Sequence, residues 1–257
     1  MSDQARRVRE QFGAIAAAYV TSPGHAAGDD LEQLAAWGRA LAPGRVLDLA
    51  TGGGHTALAF AAIAPQVVAC DLTEPMLGAA RGLLRDKGAT TATFVAGDVE
   101  ALPFRDGAFD LVTCRIAAHH FADVAAAVRE VRRVLRPGGS FLLQDILGHD
   151  DGEAAAFITE VERRRDPSHV RAYRAAEWKA FLRAAGLTPM DSAVVAKERP
   201  WQEWTTRTRM TPEARRDLEA FVLAAPERCR AAFDFRIADG LVESFTDRML
   251  LVRADRD

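Results

Sequence analysis

The residues best suited to chemistry lie in one short segment, residues 46–55. It reads Val-Leu-Asp-Leu-Ala-Thr-Gly-Gly-Gly-His, an apolar run that contains an acid and is followed by a glycine-rich turn. Glycine permits positive φ angles and the close approach of a ligand to the backbone. The helix predicted over residues 56–64 would begin at this turn and present unpaired amide groups to a ligand. The segment therefore predicts a site for a nucleotide or nucleoside cofactor.

Two cofactor classes fit this turn, and an acidic residue favours one of them. Gly52, Gly54 and Ala57 satisfy the G-x-G-x-x-A fingerprint that places a dinucleotide pyrophosphate at a helix start. Asp48, at the end of the preceding strand, would repel a pyrophosphate but would complement the ammonium and sulfonium groups of S-adenosylmethionine. The spacing of Asp48 and Gly52 thus favours S-adenosylmethionine over NAD. A turn that only bends or caps the chain is the alternative without a ligand.

A second acid supports a nucleoside without choosing between these cofactors. Residues 66–71 form another apolar run and end in Asp71, 19 residues after Gly52. A carboxylate at this distance is placed to hydrogen-bond both ribose hydroxyls, which either cofactor presents. The next residues, Leu-Thr-Glu-Pro, are typical of a helix start, so Asp71 can cap that helix as well.

A series of short apolar runs would position these residues. Such runs occur at residues 46–49, 66–71, 91–97, 109–114 and 140–145, and helical patterns separate them. This alternation predicts βαβ units and a parallel sheet with helices on both faces. Further along, we predict a helix, a sixth strand, a mostly helical insertion and a last strand, at residues 177–185, 187–197, 200–235 and 248–253.

With these motifs in place, the chain resembles the class I S-adenosylmethionine-dependent methyltransferases, and among them the ubiquinone-biosynthesis-like branch that acts on small molecules. The matching motifs follow family order and spacing over residues 40–146: Asp-Leu-Ala-Thr-Gly-Gly-Gly at 48–54, Asp71, Gly-Asp-Val-Glu-Ala-Leu-Pro-Phe at 97–104, Phe-Asp-Leu-Val at 109–112 and Val-Leu-Arg-Pro-Gly-Gly at 134–139. The resemblance implies an α/β fold with a Rossmann-like, doubly wound sheet. Seven strands are expected, mostly parallel, with an antiparallel last strand, a helical cap and an insertion.

The resemblance also implies roles in binding the methionine and ribose parts of the cofactor. Asp48, Gly52 and Gly54 would form the methionine pocket, and Asp71 would bind the ribose. Ala50 stands where the family usually has glycine. Because alanine adds only one methyl group, we expect cofactor binding to survive this difference.

Further positions match the adenine site and the lid of the family. Leu72 would pack on the adenine, Asp98 would accept from its amino group, and Val99 would supply a backbone contact. Arg115 matches a position whose backbone contacts the methionyl group. The N-terminal flank resembles a lid that closes over the methionyl end, with Tyr19 as a capping aromatic.

The implied reaction is transfer of a methyl group from S-adenosylmethionine to a small organic acceptor, at oxygen or carbon, with S-adenosylhomocysteine as product. An acceptor that loses a proton would need a base. The candidates are histidines that follow the fourth strand or lie on flanking loops: His119, His120, His149 and His169. For the adjacent pair, a structural role in bonding the backbone is the alternative. The spacing of these histidines and nearby acids matches no tight ligand motif, so we predict no metal site.

Composition limits the other functions open to this chain. Its formal net charge of −3 over 257 residues gives no general attraction to nucleic acid. RNA or protein methylation, an NAD-dependent oxidoreductase and a cofactor-binding module without turnover stay as alternatives. We recognise no signal peptide or membrane span, and the three scattered cysteines indicate reduced thiols, so we expect a cytoplasmic protein. The sequence indicates no oligomeric state.

We predict a single domain over residues 1–257. Residues 1–40 would form a helical cap and residues 41–146 the cofactor-binding core. Residues 147–175 and 200–235 would be insertions on the substrate side, because ligands of open α/β sheets bind beyond the carboxyl ends of the strands. Aromatic residues of these insertions would either line an apolar acceptor pocket or fill a small core of their own: Phe157, Trp201, Trp204, Phe233 and Phe235.

Overall fold

One mixed sheet organises the chain, for which a computed structural model describes residues 2–13, 15–16, 20 and 26–257. The strands of this described part are β1 (Arg45–Leu49), β2 (Gln66–Asp71), β3 (Ala92–Ala96), β4 (Phe109–Arg115), β5 (Leu135–Ile146), β6 (Leu187–Pro200), β7 (Arg236–Ala238) and β8 (Leu241–Arg256). Their order is β3-β2-β1-β4-β5-β8-β6, and β7 pairs with β8 outside this path. The predicted seven-stranded sheet is therefore present, with one short strand added.

Strand directions match the predicted topology. The first five strands pair in parallel, in the order β3, β2, β1, β4 and β5. β8 runs antiparallel to both β5 and β6, which confirms the antiparallel last strand. β1 and β4 lie at the centre of the sheet and are covered on both faces, which explains their nearly continuous apolar sequences. β5 begins irregularly, with a register shift before residue 140, and is longer than predicted.

The added strand belongs to a hairpin that the apolar pattern did not reveal. Asp239 and Gly240 join β7 to β8, and both have positive φ, at 51° and 77°. Two central residues with positive φ define the type I′ hairpin turn, for which Asp-Gly is a preferred pair. Three residues are too few to show an alternating pattern, so β7 was not predicted. The hairpin also extends the last strand, which was predicted only over residues 248–253.

Helices cover both faces of the sheet. In the described part of the chain they are α1 (Asp3–Gly13), α2 (Asp29–Leu41), α3 (His55–Ala61), α4 (Glu74–Asp86), α5 (Val124–Val134), α6 (Gly152–Arg165), α7 (Ala175–Ala184), α8 (Trp201–Arg207), α9 (Pro212–Ala224) and α10 (Glu227–Ala232). Asp123, Asp151 and Thr211 cap α5, α6 and α9 by accepting from a backbone N–H three residues on. None of the described helices is long and apolar enough to span a membrane.

Two apolar cores lie on opposite faces of the sheet. Along β1, Leu47 and Leu49 belong to the core under α5 and α7, whereas Val46 belongs to the core under α2, α3 and α4. Successive strand side chains point to opposite faces, so one short strand serves both cores. Because the described side chains fill both faces, we expect ligand space at the ends of the strands.

The helical insertion packs on α6 and β8 in a third core that is rich in aromatic residues. Phe235 stacks on Phe245 with ring centroids 5.1 Å apart, and Trp204 contacts Phe245 edge to face at 4.8 Å. The other members include Phe157, Trp201 and Phe233. None of these residues lines the cleft described below. Of the two predicted roles, the structure thus shows core packing rather than an acceptor pocket.

The three cysteines are buried and unpaired. Burial raises the pKa of Cys70 to about 12 and places that of Cys114 well above its ordinary value. A thiol is nucleophilic only as the thiolate, so neither residue is reactive at neutral pH. They act as small apolar side chains, as expected of reduced core thiols.

Candidate functional site

A cleft opens beyond the carboxyl ends of β1, β2, β3 and β4. Its volume is about 1000 Å³, including the part open to solvent. Loops that follow these strands form its floor and one side, and α1 forms the other side. The strand order reverses between β1 and β4, and open α/β sheets bind their ligands at such a switch point. The cleft is therefore where the fold would hold a cofactor.

The glycine-rich loop after β1 forms the floor of the cleft. Ala50, Gly52 and Gly54 all have positive φ, at 48°, 53° and 87°. A Cβ at Gly54 would lie 2.9 Å from Ala80 Cβ on α4, so glycine is required there. The Gly54 N–H donates to Thr51 O at 2.9 Å and closes the turn from which α3 starts. Gly54 thus supports the floor from below and is not among the described lining residues.

Ala50 lines the cleft, and its backbone conformation explains why the family usually has glycine at this position. We expected the alanine to matter only through one extra methyl group. Its φ of 48° instead lies in the left-handed region, which costs an L-residue about 1–2 kcal/mol. The glycine usual at this position is therefore explained by backbone conformation rather than by lack of space.

Asp48 lies behind the loop instead of on the cleft wall. Its Oδ2 accepts from Thr51 Oγ1 at 2.6 Å, and its Oδ1 accepts from Thr113 Oγ1 at 2.7 Å. Burial raises the pKa of this carboxyl to about 6, and the two hydroxyls oppose that rise. This position differs from the predicted wall of the methionine pocket, because both carboxylate oxygens face threonines. Asp48 holds the loop and would influence a ligand from behind it.

Asp71 lies in the cleft wall and orders the loops on either side of it. Its Oδ2 accepts from Gly52 N at 2.9 Å. Its Oδ1 accepts from the backbone N and from Oγ1 of Thr73, at 2.9 and 2.6 Å. Burial raises the pKa of Asp71 above its ordinary value, and these donors oppose the rise. The bonds to Thr73, which precedes α4, order the turn before that helix, but they do not reach the first N–H groups of the helix itself.

Three adenine-side candidates also line the cleft. Leu72 follows β2, and Asp98 and Val99 lie beyond the end of β3. Asp98 Oδ1 accepts from the backbone N of Glu100 at 3.0 Å, which turns the chain beside the cleft. Tyr19, the predicted capping aromatic, lies outside the described residues.

A buried ion network stands beside the cleft and joins α2 to the sheet. Arg115, a lining residue, donates from Nη2 to Asp30 Oδ2 at 2.8 Å and from Nε to Gln144 Oε1 at 2.8 Å. The same Asp30 oxygen accepts from Gln144 Nε2 at 2.7 Å and lies 3.4 Å from Lys197 Nζ. Although burial alone would raise it, Arg115 and Lys197 hold the pKa of Asp30 below its ordinary value. The sequence predicted only a backbone role for Arg115, and no motif marked Asp30.

Three of the four candidate histidines come together. The 3-10 turn Ala118–His120 brings the rings of His119 and His120 to a centroid distance of 4.1 Å, and His169 lies 5.3 Å from His119. Of the four, His120 alone is among the described lining residues. The ring of His149 packs 5.5 Å from that of Phe233 in the insertion core, which does not support its predicted role as base. Within the described ranges, no three potential ligands converge on a metal position.

The clustered histidines differ in protonation. His119 Nδ1 lies 2.6 Å from Asp145 Oδ1, and although burial opposes charge, this carboxylate raises the pKa of His119. Burial and the neighbouring His119 lower the pKa of His120. Burial and both neighbours lower the pKa of His169. At neutral pH the ring that faces the cleft is therefore uncharged.

The remaining wall is formed by α1, which the sequence placed in a general helical cap. Ala5, Val8 and Phe12 recur at intervals of three and four residues and line the cleft. Gln4 Nε2 donates to His120 O at 2.9 Å and also to Ser168 O, and these bonds tie α1 to the histidine turn. The amphipathic spacing is visible in the sequence and was the signal that would have identified this wall.

Comparison with known proteins shows the family to which this architecture belongs. A family model described as a methyltransferase domain matches residues 47–143, which include the loops of the cleft floor. The crystal structure of a protein assigned as a methyltransferase from Bacillus halodurans is 38% identical, has a TM-score of 0.85, and covers 89% of this chain and 99% of its own. These values extend the similarity well beyond the cofactor half.

Two further relatives carry methyltransferase names. The uncharacterized methyltransferase YcgJ of Bacillus subtilis is 43% identical over 166 residues, 65% of this chain and 66% of that protein. The ubiquinone/menaquinone biosynthesis C-methyltransferase UbiE of Shewanella frigidimarina is 40% identical over 103 residues, 38% of this chain and 41% of that protein. The chain therefore belongs to the methyltransferase-domain family and is a class I S-adenosylmethionine-dependent methyltransferase.

Proposed function

We propose that this enzyme transfers the methyl group of S-adenosylmethionine to an oxygen or a carbon of a small, largely apolar acceptor. The observation that carries the proposal is the composition of the cleft. One part of its lining has a glycine loop and the carboxylates of Asp71 and Asp98. Another part combines the apolar side chains of α1 with His120. Such a lining suits a nucleoside cofactor beside an apolar second reactant.

The described residues fit S-adenosylmethionine in shape and in charge. A Cβ built on Gly52 would have only Ala50 O within 4 Å, at 4.0 Å, so a ligand can approach the loop backbone closely. We assign the ribose hydroxyls to Asp71 and the adenine amino group to Asp98. Both groups are donors, which a carboxylate accepts. The remaining assignments are Leu72 for adenine packing, with backbone contacts from Val99 and Arg115.

The protein's part in the reaction is to hold two reactants together without water. When bound, S-adenosylmethionine supplies a sulfonium methyl whose bond to sulfur breaks as the acceptor's electron pair forms the new bond. Asp48 and Asp71 fix the loop on which the cofactor would rest. Val8 and Phe12 of α1 cover the cleft with apolar surface. Holding reactants in near-attack geometry is the main source of rate in such a displacement.

Charge in the cleft argues against the alternative ligands. Its described lining has three carboxylates, Asp71, Asp98 and Glu100, and a guanidinium, Arg115, that is paired with Asp30. The pyrophosphate of NAD or an RNA backbone would meet net negative charge there. The name of the UbiE relative specifies carbon methylation, which supports carbon as one of the two acceptor atoms.

Calorimetric titration of the purified, cofactor-stripped protein tests the cofactor part of this proposal. We expect binding heat from S-adenosylmethionine and S-adenosylhomocysteine and none from NAD. Binding of NAD alone would overturn the assignment. A screen for release of S-adenosylhomocysteine with phenols, enols, RNA and protein then tests the acceptor class. Release with RNA or protein but with none of the small molecules would contradict it.

The Asp71→Ala variant should bind S-adenosylmethionine more weakly by about 1–3 kcal/mol, the scale of a lost charge-assisted hydrogen bond together with the bonds that order the loop. The measurement is the same titration. Asp86→Ala is the matched control, because that carboxylate is exposed at the end of α4 and, among the described residues, pairs with its neighbour Arg85. Unchanged affinity in Asp71→Ala would show that the ribose assignment is wrong.

A further inference from the structure

His120 is connected to a buried carboxylate by a short hydrogen-bonded chain. Its Nδ1 lies 3.1 Å from Ser168 O and 3.2 Å from Ser168 Oγ. Ser168 Oγ donates to Asp166 Oδ1 at 2.6 Å, and Ser168 N donates to the same oxygen at 2.9 Å. Ser168 and Asp166 follow α6 and are buried. The ring in the cleft wall therefore has a fixed polar support behind it.

The carbonyl partner of Nδ1 decides which ring nitrogen carries the proton. A carbonyl oxygen can only accept, so the contact with Ser168 O places the proton of neutral His120 on Nδ1. Its lone pair is then on Nε2. Asp166 Oδ2 lies 4.0 Å from Nε2, where a carboxylate favours a positive charge on the ring. Neutral His120 is thus arranged to accept a proton at Nε2, and Asp166 offsets part of the cost that burial and His119 place on the protonated ring.

Each element packed around His120 contributes a defined group. The same turn contributes His119, whose Nδ1 is hydrogen-bonded to the Asp145 carboxylate on β5. The loop after α6 contributes Asp166, Ser168 and His169. From α1, the described contacts with His120 come from neutral groups, the Gln4 amide and the Phe12 ring, whose centroid lies 5.0 Å from that of His120. Asp166 and Asp145 favour charge on His120, whereas burial and a protonated His119 oppose it.

We propose that His120 is the catalytic base for the methyl acceptor and that Ser168 and Asp166 are its positioning residues. This inference rests on the proposed function. The acceptor's O–H or activated C–H proton passes to Nε2, and the acceptor's electron pair forms the bond to the methyl carbon. The electron pair of the broken carbon–sulfur bond stays on sulfur, and the proton later leaves His120 to solvent. The acceptor class is therefore a phenol, an enol or a carbon activated by one.

Nuclear magnetic resonance of the histidine rings tests the inference without any acceptor. Long-range ¹H–¹⁵N spectra of the full chain labelled at histidine report the tautomer of each neutral ring. His120 is the signal lost in His120→Gln, and should that variant not fold, removal of the other histidines one at a time assigns it by elimination. We expect His120 to be neutral at pH 7 with its proton on Nδ1. A proton on Nε2 alone, or a charged ring at pH 7, would overturn the proposal.

Kinetics with an acceptor from the release screen separates a base from a structural histidine. His120→Gln should lower kcat by about 10²–10⁴-fold, the usual contribution of general base catalysis, with unchanged affinity for S-adenosylmethionine. His149→Gln is the matched control outside the cleft and should keep full activity. If S-adenosylmethionine does not bind at all, the proposed function fails. If it binds and turns over but His120→Gln stays within threefold of the wild type, only the base assignment fails.

The positioning role has its own signature in the pH profile. Asp166→Asn preserves size but removes the charge that favours protonated His120, so the pKa of His120 should fall. The acidic limb of the kcat profile should therefore move to lower pH, with a lower plateau and an unchanged KM for the acceptor. A purely structural role would lower the plateau without moving the limb, and that result would contradict the assignment.

Discussion

The Asp30→Ala variant should lose about 3–5 kcal/mol of unfolding free energy, the loss found when one member of a buried ion pair is removed. Asp30 is 2% exposed, and its carboxylate is shared by Arg115, Lys197 and Gln144. The substitution removes the carboxylate of α2 that lies between two cations, Arg115 on β4 and Lys197 on β6. Urea unfolding followed by circular dichroism measures the loss.

Asp3→Ala provides the control for this substitution. Asp3 also pairs with an arginine, Arg6, but the aspartate side chain is 87% exposed. Exposed ion pairs contribute little to stability, because water and salt screen them. A loss in Asp30→Ala no larger than that of Asp3→Ala would mean that the network does not stabilise the fold.

Gly54→Ala should destabilise the protein by about 2–5 kcal/mol and abolish binding of S-adenosylmethionine. The left-handed backbone, at φ 87°, contributes about 1–2 kcal/mol. Overpacking contributes about 1–3 kcal/mol more, because the new Cβ would lie 2.9 Å from Ala80 and Leu84 side-chain atoms. Relief of that contact would push the loop off α4 and move Gly52 and Asp71 out of place. Thermal unfolding and calorimetric titration measure the two effects.

Gly88→Ala separates the backbone part of this effect from the packing part. Gly88 has a similar φ of 75°, but a Cβ there would meet nothing within 4 Å. It should therefore show the backbone cost alone and bind S-adenosylmethionine normally. Equal destabilisation in Gly54→Ala and Gly88→Ala would show that close packing on α4 is not what requires glycine in the loop.

The cofactor half of the fold could be predicted because its signals are local. The strands from β1 to β5 are apolar runs, and the turn after β1 needs glycines at fixed positions. These features lie within a few residues of one another, so the parallel strands and the place of Asp71 at the end of β2 followed from the sequence. The hydrogen bonds from Thr73 to Asp71 span only two residues, so they also follow from the local sequence.

The ion network of α2 and the histidine cluster could not be predicted to the same extent because their contacts are distant in sequence. Asp30 meets Arg115, Gln144 and Lys197 across 85, 114 and 167 positions. The bonds from Ser168 to His120 span 48 positions. A single sequence carries no signal for such pairs, since any acid or serine in a loop looks the same. The exception is α1, whose amphipathic spacing was available and was assigned only to a general cap.

The two hydrogen bonds that the Gln4 side chain donates have a consequence for how the enzyme exchanges its ligands. One amide on α1 bonds the backbone oxygens of both His120 and Ser168. A helix that moves away to release a product must break both bonds together, and it thereby frees the two segments that orient the imidazole. Water entry and loss of the reactive arrangement then coincide. In the proposed mechanism, the cofactor's methyl group would therefore be shielded from bulk water whenever α1 holds His120 in place.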